Sequence, residues 1–263
     1  MTKNKLLLNR NQLKYIVIIA MLIDHIAWAF VPAESVSGQV MHFIGRLTGP
    51  TMAYFVAEGY YYTKSVKKYA WRLGLFALLS WAPFVYFEYG HLPIYMVSET
   101  VGADHQIVNS WHITPQFGVM YTLLLGLFAI WLWDKGKCSN PVKVLGIIGL
   151  CILSLFGDWM VFDVLWCLFF FIYRNNEKSK WTAFCSVAAS CIVASCIVVF
   201  AVFTASWETQ LFQFGIFMVP LVIHFCYNGK GGSKKAFHKW FFYIFYPLHL
   251  LILGILRWCV FIY

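Results

Sequence analysis

Five ionisable side chains stand where a bilayer would exclude them. Asp24, Arg46, Glu58, Asp163 and Arg257 all lie inside stretches that are otherwise almost wholly apolar. A charge at the centre of a membrane helix costs about 2.5 to 3.5 kcal/mol on insertion scales, so each must be paired, reach the interface or serve chemistry. Arg257 and Asp163 sit near the outer ends of their runs, where snorkelling is expected. Asp24 and His25 are adjacent, about six residues from the outer end of the first run. Arg46 lies about six residues, or roughly 9 Å, below the same surface on the second. An acid, an imidazole and a guanidinium can therefore meet at one depth on neighbouring helices. Asp24 and Arg46 either lock this hairpin as an ion pair or border a cavity. Pro50 cannot donate to the carbonyl of Arg46, and Gly45 and Gly49 permit close approach, so the second run is expected to kink beside a cavity.

Periodicity adds a second constraint. Lys14 and His25 are eleven residues apart, so at 100° per residue they lie about 20° out of phase and about 16 Å apart along one helix face. Lys14, Ile18, Met21 and His25 form one stripe from the inner mouth to the outer half of the membrane. An anion held at Lys14 could extend an arm along this stripe to His25. Lys64, Lys67, Lys68 and Arg72 lie at the same mouth and suit phosphates, although such clusters also serve simply as membrane anchors. Further along, Tyr246-Pro247-Leu248-His249-Leu250 sets a second imidazole near mid-membrane just after a proline. His42, His224 and His238 lie nearer the ends of runs and are read as packing residues. Glu58, followed by Gly59 and Tyr60, is expected to pair with the basic loop after it.

These residues need elements to position them. The chain has 263 residues, of which 61% are hydrophobic and 12% charged, with a mean hydropathy of +0.69. A soluble domain would carry about 25% charge, so this is an all-α polytopic transmembrane bundle with no room for a nucleotide-binding fold. Apolar runs at 13–31, 40–63, 70–88, 114–133, 141–157, 159–173, 181–205, 209–227 and 238–262 give about nine spans in a single domain over 1–263. With the N-terminus cytoplasmic, eighteen of the twenty lysines and arginines fall on the inner side and none in the outer loops, as the positive-inside rule demands. An odd number of spans puts the C-terminus outside. Orientation thus accounts for the formal charge of +9, and no nucleic-acid partner is expected. The N-terminal segment reads as a cytoplasmic tail leading into a retained first helix. No internal repeat is visible, which counts against a transporter built on inverted repeats. The longest loop, 89–113, is expected to be an ordered outer lid; its His91, His105 and His112 match no metal motif.

The run Met21-Leu22-Ile23-Asp24-His25-Ile26, then Ile44-Gly45-Arg46-Leu47 leading through Pro50 to Glu58-Gly59-Tyr60, then Lys68-Tyr69 and Arg72-Leu73, resembles the TraX family of F-pilin acetylases. Tyr121 to Leu127, Gly157-Asp158 and Tyr246 to Leu250 extend the resemblance along nearly the whole chain. It implies a multi-pass protein of the bacterial plasma (inner) membrane that moves an acetyl group from acetyl-CoA, in the name-giving case to the N-terminal amine of conjugative pilin. The family looks related to the transmembrane acyltransferases, whose first helix carries a basic residue, ten residues and then a histidine assigned to acyl transfer. Lys14 and His25 match that spacing. Ser80-Trp81-Ala82-Pro83-Phe84 departs from the pattern, since relatives commonly carry an acid before the Pro-Phe.

Attack of an amine or hydroxyl on a thioester needs a base, a donor for the developing oxyanion and exclusion of water. The expected catalytic set is His25 as base or acyl relay, Asp24 or another carboxylate to orient it, and Arg46 to hold the oxyanion or an acidic part of a substrate. Lys14, Lys67, Lys68 and Arg72 are expected to bind acetyl-CoA, with Glu58, Tyr121, Asp158, Tyr246 and His249 around the substrate. The competing expectations are a proton-coupled transporter using Asp24, His25, Arg46 and Glu58 as a relay, and a non-enzymatic assembly factor of a secretion or pilus machine.

Overall fold

The chain forms a helical membrane-type bundle that carries one small sheet. The computed structural model describes residues 7–101, 106–203, 206–233 and 235–260. Helix α1 (Arg10–Phe30) starts in a capping box: the Asn9 side chain accepts from the Gln12 amide at 3.1 Å, and the Gln12 side chain accepts from the Asn9 amide at 3.0 Å, which satisfies two donors at the helix start. It stops ahead of Pro32. Helices α2 (Val36–Gly45) and α3 (Thr48–Tyr62) follow, then α4 (Val66–Tyr89). Helix α4 ends at Gly90, whose φ of 76° is the left-handed conformation that glycine adopts without steric cost.

The loop between α4 and the next helix adds a small sheet to the all-α bundle. It folds into an antiparallel hairpin, β1 (Ile94–Val101) and β2 (Gln106–Ile113), in which Ile94 faces Ile113 and Met96 faces Trp111. β-branched and aromatic residues such as Ile94, Tyr95 and Val97, opposite Ile107, Trp111 and Ile113, favour strands here. Ile94, Met96, Trp111 and Ile113 share one exposed face.

Beyond the hairpin come α5 (Val119–Lys135), α6 (Asn140–Leu153), α7 (Met160–Ile172) and α8 (Glu177–Phe203). A 3₁₀ stretch, Trp207–Phe217, runs into α9 (Met218–Cys226), and α10 (Ala236–Ile255) closes in a π turn, Leu256–Val260. Among the described residues, five segments are long and apolar enough to cross a membrane: Arg10–Phe30, Val66–Tyr89, Glu177–Val202, Trp207–Cys226 and Ala236–Val260. The nine apolar runs therefore do not each form one long helix. Run 40–63 is split between α2 and α3, and α6 and α7 have 14 and 13 residues, short of the ~20 that a perpendicular crossing needs.

Packing explains how such short helices are held. Trp166 on α7 is fully buried, as are Phe184 on α8 and Leu127 on α5, so α7 is a central strut rather than a lipid-facing rod. Helix α10 packs along α4 and also touches α1. The ends of α1, α2 and α4 and the middle of α10 converge there on the start of α5, and polar residues gather at that point.

Candidate functional site

The break in the second run builds the first part of the site. Pro50 falls in the first turn of α3, where no amide is needed. Arg46 and Leu47 form the joint, their amides turning back to the carbonyls of His42 and Ile44 at 3.0 and 3.2 Å. This aims the Arg46 guanidinium at Asp24 on α1, with Nη2 donating to Asp24 Oδ2 at 2.7 Å. The other carboxylate oxygen, Oδ1, meets His42 Nδ1 at 2.8 Å. A Cβ at Gly45 would stand 2.3 Å from Asp24 Cβ and Cγ, so glycine is what lets α2 approach α1 here. Arg46 also lies over the rings of Trp159 and Phe212, at 4.6 and 5.2 Å from their centroids.

His25 is oriented differently from expectation. Asp24 is engaged by His42 and Arg46, and the histidine is held by α1 itself and by α10. Its Nδ1 lies 2.9 Å from the Met21 carbonyl and 3.2 Å from His249 Nε2. His249 Nδ1 lies 2.8 Å from the Phe245 carbonyl. A carbonyl only accepts, so both rings carry their proton on Nδ1 when neutral. His249 Nε2 is then an acceptor for His25, and His25 Nε2 keeps a free lone pair.

That ring lines a cavity of about 260 Å³ walled by Asp24, Arg46, Glu88, Gln116, Asp158 and several aromatic residues. Asp158 sits in the turn between α6 and α7, where its carboxylate accepts from the Trp159 amide at 3.0 Å. Trp159 and Met160 have φ of 53° and 26°, a region costly for bulky side chains. The Asp158 amide donates to Phe117 and the Phe117 amide to Phe156, which pins the turn against the start of α5.

A second cavity, of about 450 Å³, opens toward the other end of α1 and is lined by Arg10, Lys14, Arg72, Lys235, Lys239 and His238 among others. The two cavities share Met21, Thr48, Val119 and Tyr246, so they meet end to end. The stripe read from the sequence forms their common wall: Lys14, Ile18 and Met21 line the larger cavity, and Met21 and His25 the smaller.

Several expectations need correction. Lys67 and Lys68 are exposed and line neither cavity, because on α4 it is Tyr69, Arg72 and Leu73 that turn to the larger one. Glu58 does not pair with the loop after it. It accepts from Arg10 Nε at 2.8 Å and from the Tyr227 hydroxyl at 2.8 Å, since α3 runs back beside the start of α1. Twelve residues from Arg46, Glu58 is about 18 Å away along helix, so it does not join Asp24, His25 and Arg46 in a relay. Tyr121 donates to the Leu153 carbonyl at 3.1 Å and lines neither cavity. Asp163 does not snorkel: it is fully buried beside the Thr122 hydroxyl at 2.9 Å. Arg257 donates to the Phe87 carbonyl at 3.2 Å. Among the described residues no group of three or more His, Cys, Asp or Glu is placed to hold a metal.

Sequence reasoning missed Glu88, Gln116 and Trp159 at the smaller cavity, His42 buried behind Asp24, and Arg10, Lys235 and Lys239 at the larger. Glu88 carried a usable signal as an acid at the outer end of the third apolar run. The others lie near the ends of runs, where polar residues are ordinary.

A family model described as TraX protein matches residues 9–257. The chain belongs to the TraX family. Across the curated proteins, this TraX chain is 31% identical over 243 residues to "Probable fimbrial assembly protein FimC, serogroup H1" of Dichelobacter nodosus, covering 92% of this chain and 93% of that protein. No solved structure matches it.

Proposed function

We propose that this TraX-family protein is a transmembrane acetyltransferase, taking acetyl from acetyl-CoA at the cytoplasmic face and passing it to an amine or hydroxyl acceptor that enters from outside. The observation that carries this reading is the pair of cavities meeting end to end, one lined by cations and the other by His25 and carboxylates. The phosphates of CoA fit the mouth at Arg10, Lys14, Arg72, Lys235 and Lys239. The pantetheine arm follows the Lys14 to His25 wall and brings the thioester to the junction. His25 Nε2 then serves as base for the acceptor or as acyl relay. Asp24, fixed by Arg46 and His42, keeps a negative charge beside the imidazolium that forms. The family and the fimbrial name of the relative make a pilin or other peptide N-terminus the leading acceptor, with an extracytoplasmic glycan hydroxyl as the alternative. The protein resides in the bacterial inner membrane.

Calorimetry on purified protein in detergent or nanodiscs tests the donor. CoA is expected to bind, and dephospho-CoA more weakly, because one phosphate no longer meets the cationic mouth. Lys14→Ala should raise the apparent KM for acetyl-CoA with little change in kcat, as expected for a ground-state contact. No binding of either nucleotide by folded protein would remove the acetyltransferase reading.

Orientation is tested separately. Counting α2 with α3 as one crossing, and the 3₁₀ stretch with α9 as another, the chain crosses nine times, with the N-terminus cytoplasmic and the C-terminus outside. Reporter fusions at Asn140 and at the C-terminus should give opposite locations, and two cytoplasmic reports would show the count to be wrong.

A further inference from the structure

Where the two cavities meet, four residues are shared, and only one of them offers a proton. Met21 has none on its side chain. The Thr48 hydroxyl donates to the Val17 carbonyl at 3.3 Å. The Val119 amide donates to the Tyr246 hydroxyl at 3.1 Å. Tyr246 is 2% exposed, and among the described residues its hydroxyl makes this one hydrogen bond, as the acceptor. A phenol that accepts one hydrogen bond still has its own O–H to give.

The setting strengthens that donor. Val119 is the first residue of α5, and the N-cap residue, Gly118, supplies no side-chain cap. The Tyr246 oxygen therefore takes the place of a cap, at the end of the helix where the partial charge is positive. The approach is close: a Cβ on Gly118 would lie 2.1 Å from the Tyr246 hydroxyl oxygen. The other polar groups nearby lie off the junction or are bonded: Arg46, whose Nε has no partner among the described residues, and Gln116 line only the smaller cavity. The Arg46 Nη2 is bonded to Asp24, and both ring nitrogens of His249 have partners.

Resting on the acetyltransferase reading, we propose that Tyr246 is the catalytic hydrogen-bond donor to the oxyanion formed on the acetyl carbonyl. The acceptor's nitrogen or oxygen attacks the thioester carbon while His25 Nε2 takes the proton it loses. The carbonyl π electrons move onto oxygen, which is held by the Tyr246 O–H. Collapse of the adduct restores the carbonyl and breaks the C–S bond, and the thiolate of CoA takes the proton back from His25. A donor fixed at a helix start before the reaction begins needs no reorganisation when charge develops, which is the usual source of oxyanion stabilisation.

The experiment compares Tyr246→Phe and Val119→Pro with the wild type in acetyl transfer, with CoA affinity measured by calorimetry on the same preparations. Tyr246→Phe should lower kcat by about 100- to 1000-fold with CoA affinity retained. Val119→Pro removes the amide that polarises the phenol at the N1 position, which favours proline, and the extended φ and ψ of Gly118, −80° and −177°, suit a residue before proline. It should lower kcat by about tenfold and keep the fold. A Tyr246→Phe protein that binds CoA and transfers acetyl at the wild-type rate would overturn the proposal, as would a rate loss matched by an equal loss of CoA affinity. If Tyr246→Phe does not fold, Val119→Pro decides: a wild-type rate overturns the proposal. A wild type that binds no CoA would instead remove the acetyltransferase reading.

Discussion

Replacing His25 by alanine is expected to lower kcat by roughly 10² to 10⁴ while CoA still binds. The imidazole lies at the far end of the wall that begins at Lys14, and its Nε2 is the lone pair left free when Nδ1 is held by the Met21 carbonyl and His249. Removing it takes away the proton acceptor and leaves the cationic mouth intact, so affinity and rate should part. His249→Ala should have a smaller effect, since it removes only the partner that orients His25. A well-folded His25→Ala protein that transfers acetyl at the wild-type rate would exclude His25 from the chemistry and shift attention to His249.

The largest stability effect is expected at Arg46. Arg46→Ala would leave the Asp24 carboxylate, 7% exposed, with His42 alone. Breaking a buried pair from one side costs about 3 to 5 kcal/mol, because the remaining charge has lost its partner but not its burial. The stacking of the guanidinium on Trp159 and Phe212 would be lost as well. In a thermal unfolding experiment Arg46→Ala should therefore melt well below wild type. The double variant Asp24→Asn, Arg46→Ala should recover part of the loss, since its amide carries no charge to strand. An Arg46→Ala protein melting within about 2 °C of wild type would mean that the pair contributes little to the fold.

Much of this was readable in one dimension. Composition alone made the chain a membrane bundle. The eleven-residue interval from Lys14 to His25 gave the cavity wall, because an α-helix fixes which residues share a face whatever it packs against. Asp24 and Arg46 could be placed at one depth because the first run ends and the second begins at the same surface, and Pro50 marked the break because its missing amide acts locally. The family motifs were legible for a similar reason: they are short and contiguous.

What the sequence left undecided depends on partners distant along the chain. Nothing local distinguishes Glu58 pairing with the loop beside it from Glu58 pairing with Arg10, 48 residues earlier. His42 looked like a packing residue until α2 was laid against Asp24, and Lys67 and Lys68 looked like Arg72 until the rotation of α4 was set by its packing. Helix length misled in the same way: α7 is too short to span alone but can stay short because its neighbours, not lipid, cover it. Periodicity determined the face on which Lys14 and His25 lie. Only the tertiary structure decided that α10 brings His249 and Tyr246 to that face, because side-chain contacts between remote helices are set by how the whole bundle fills its volume, and no local pattern encodes that.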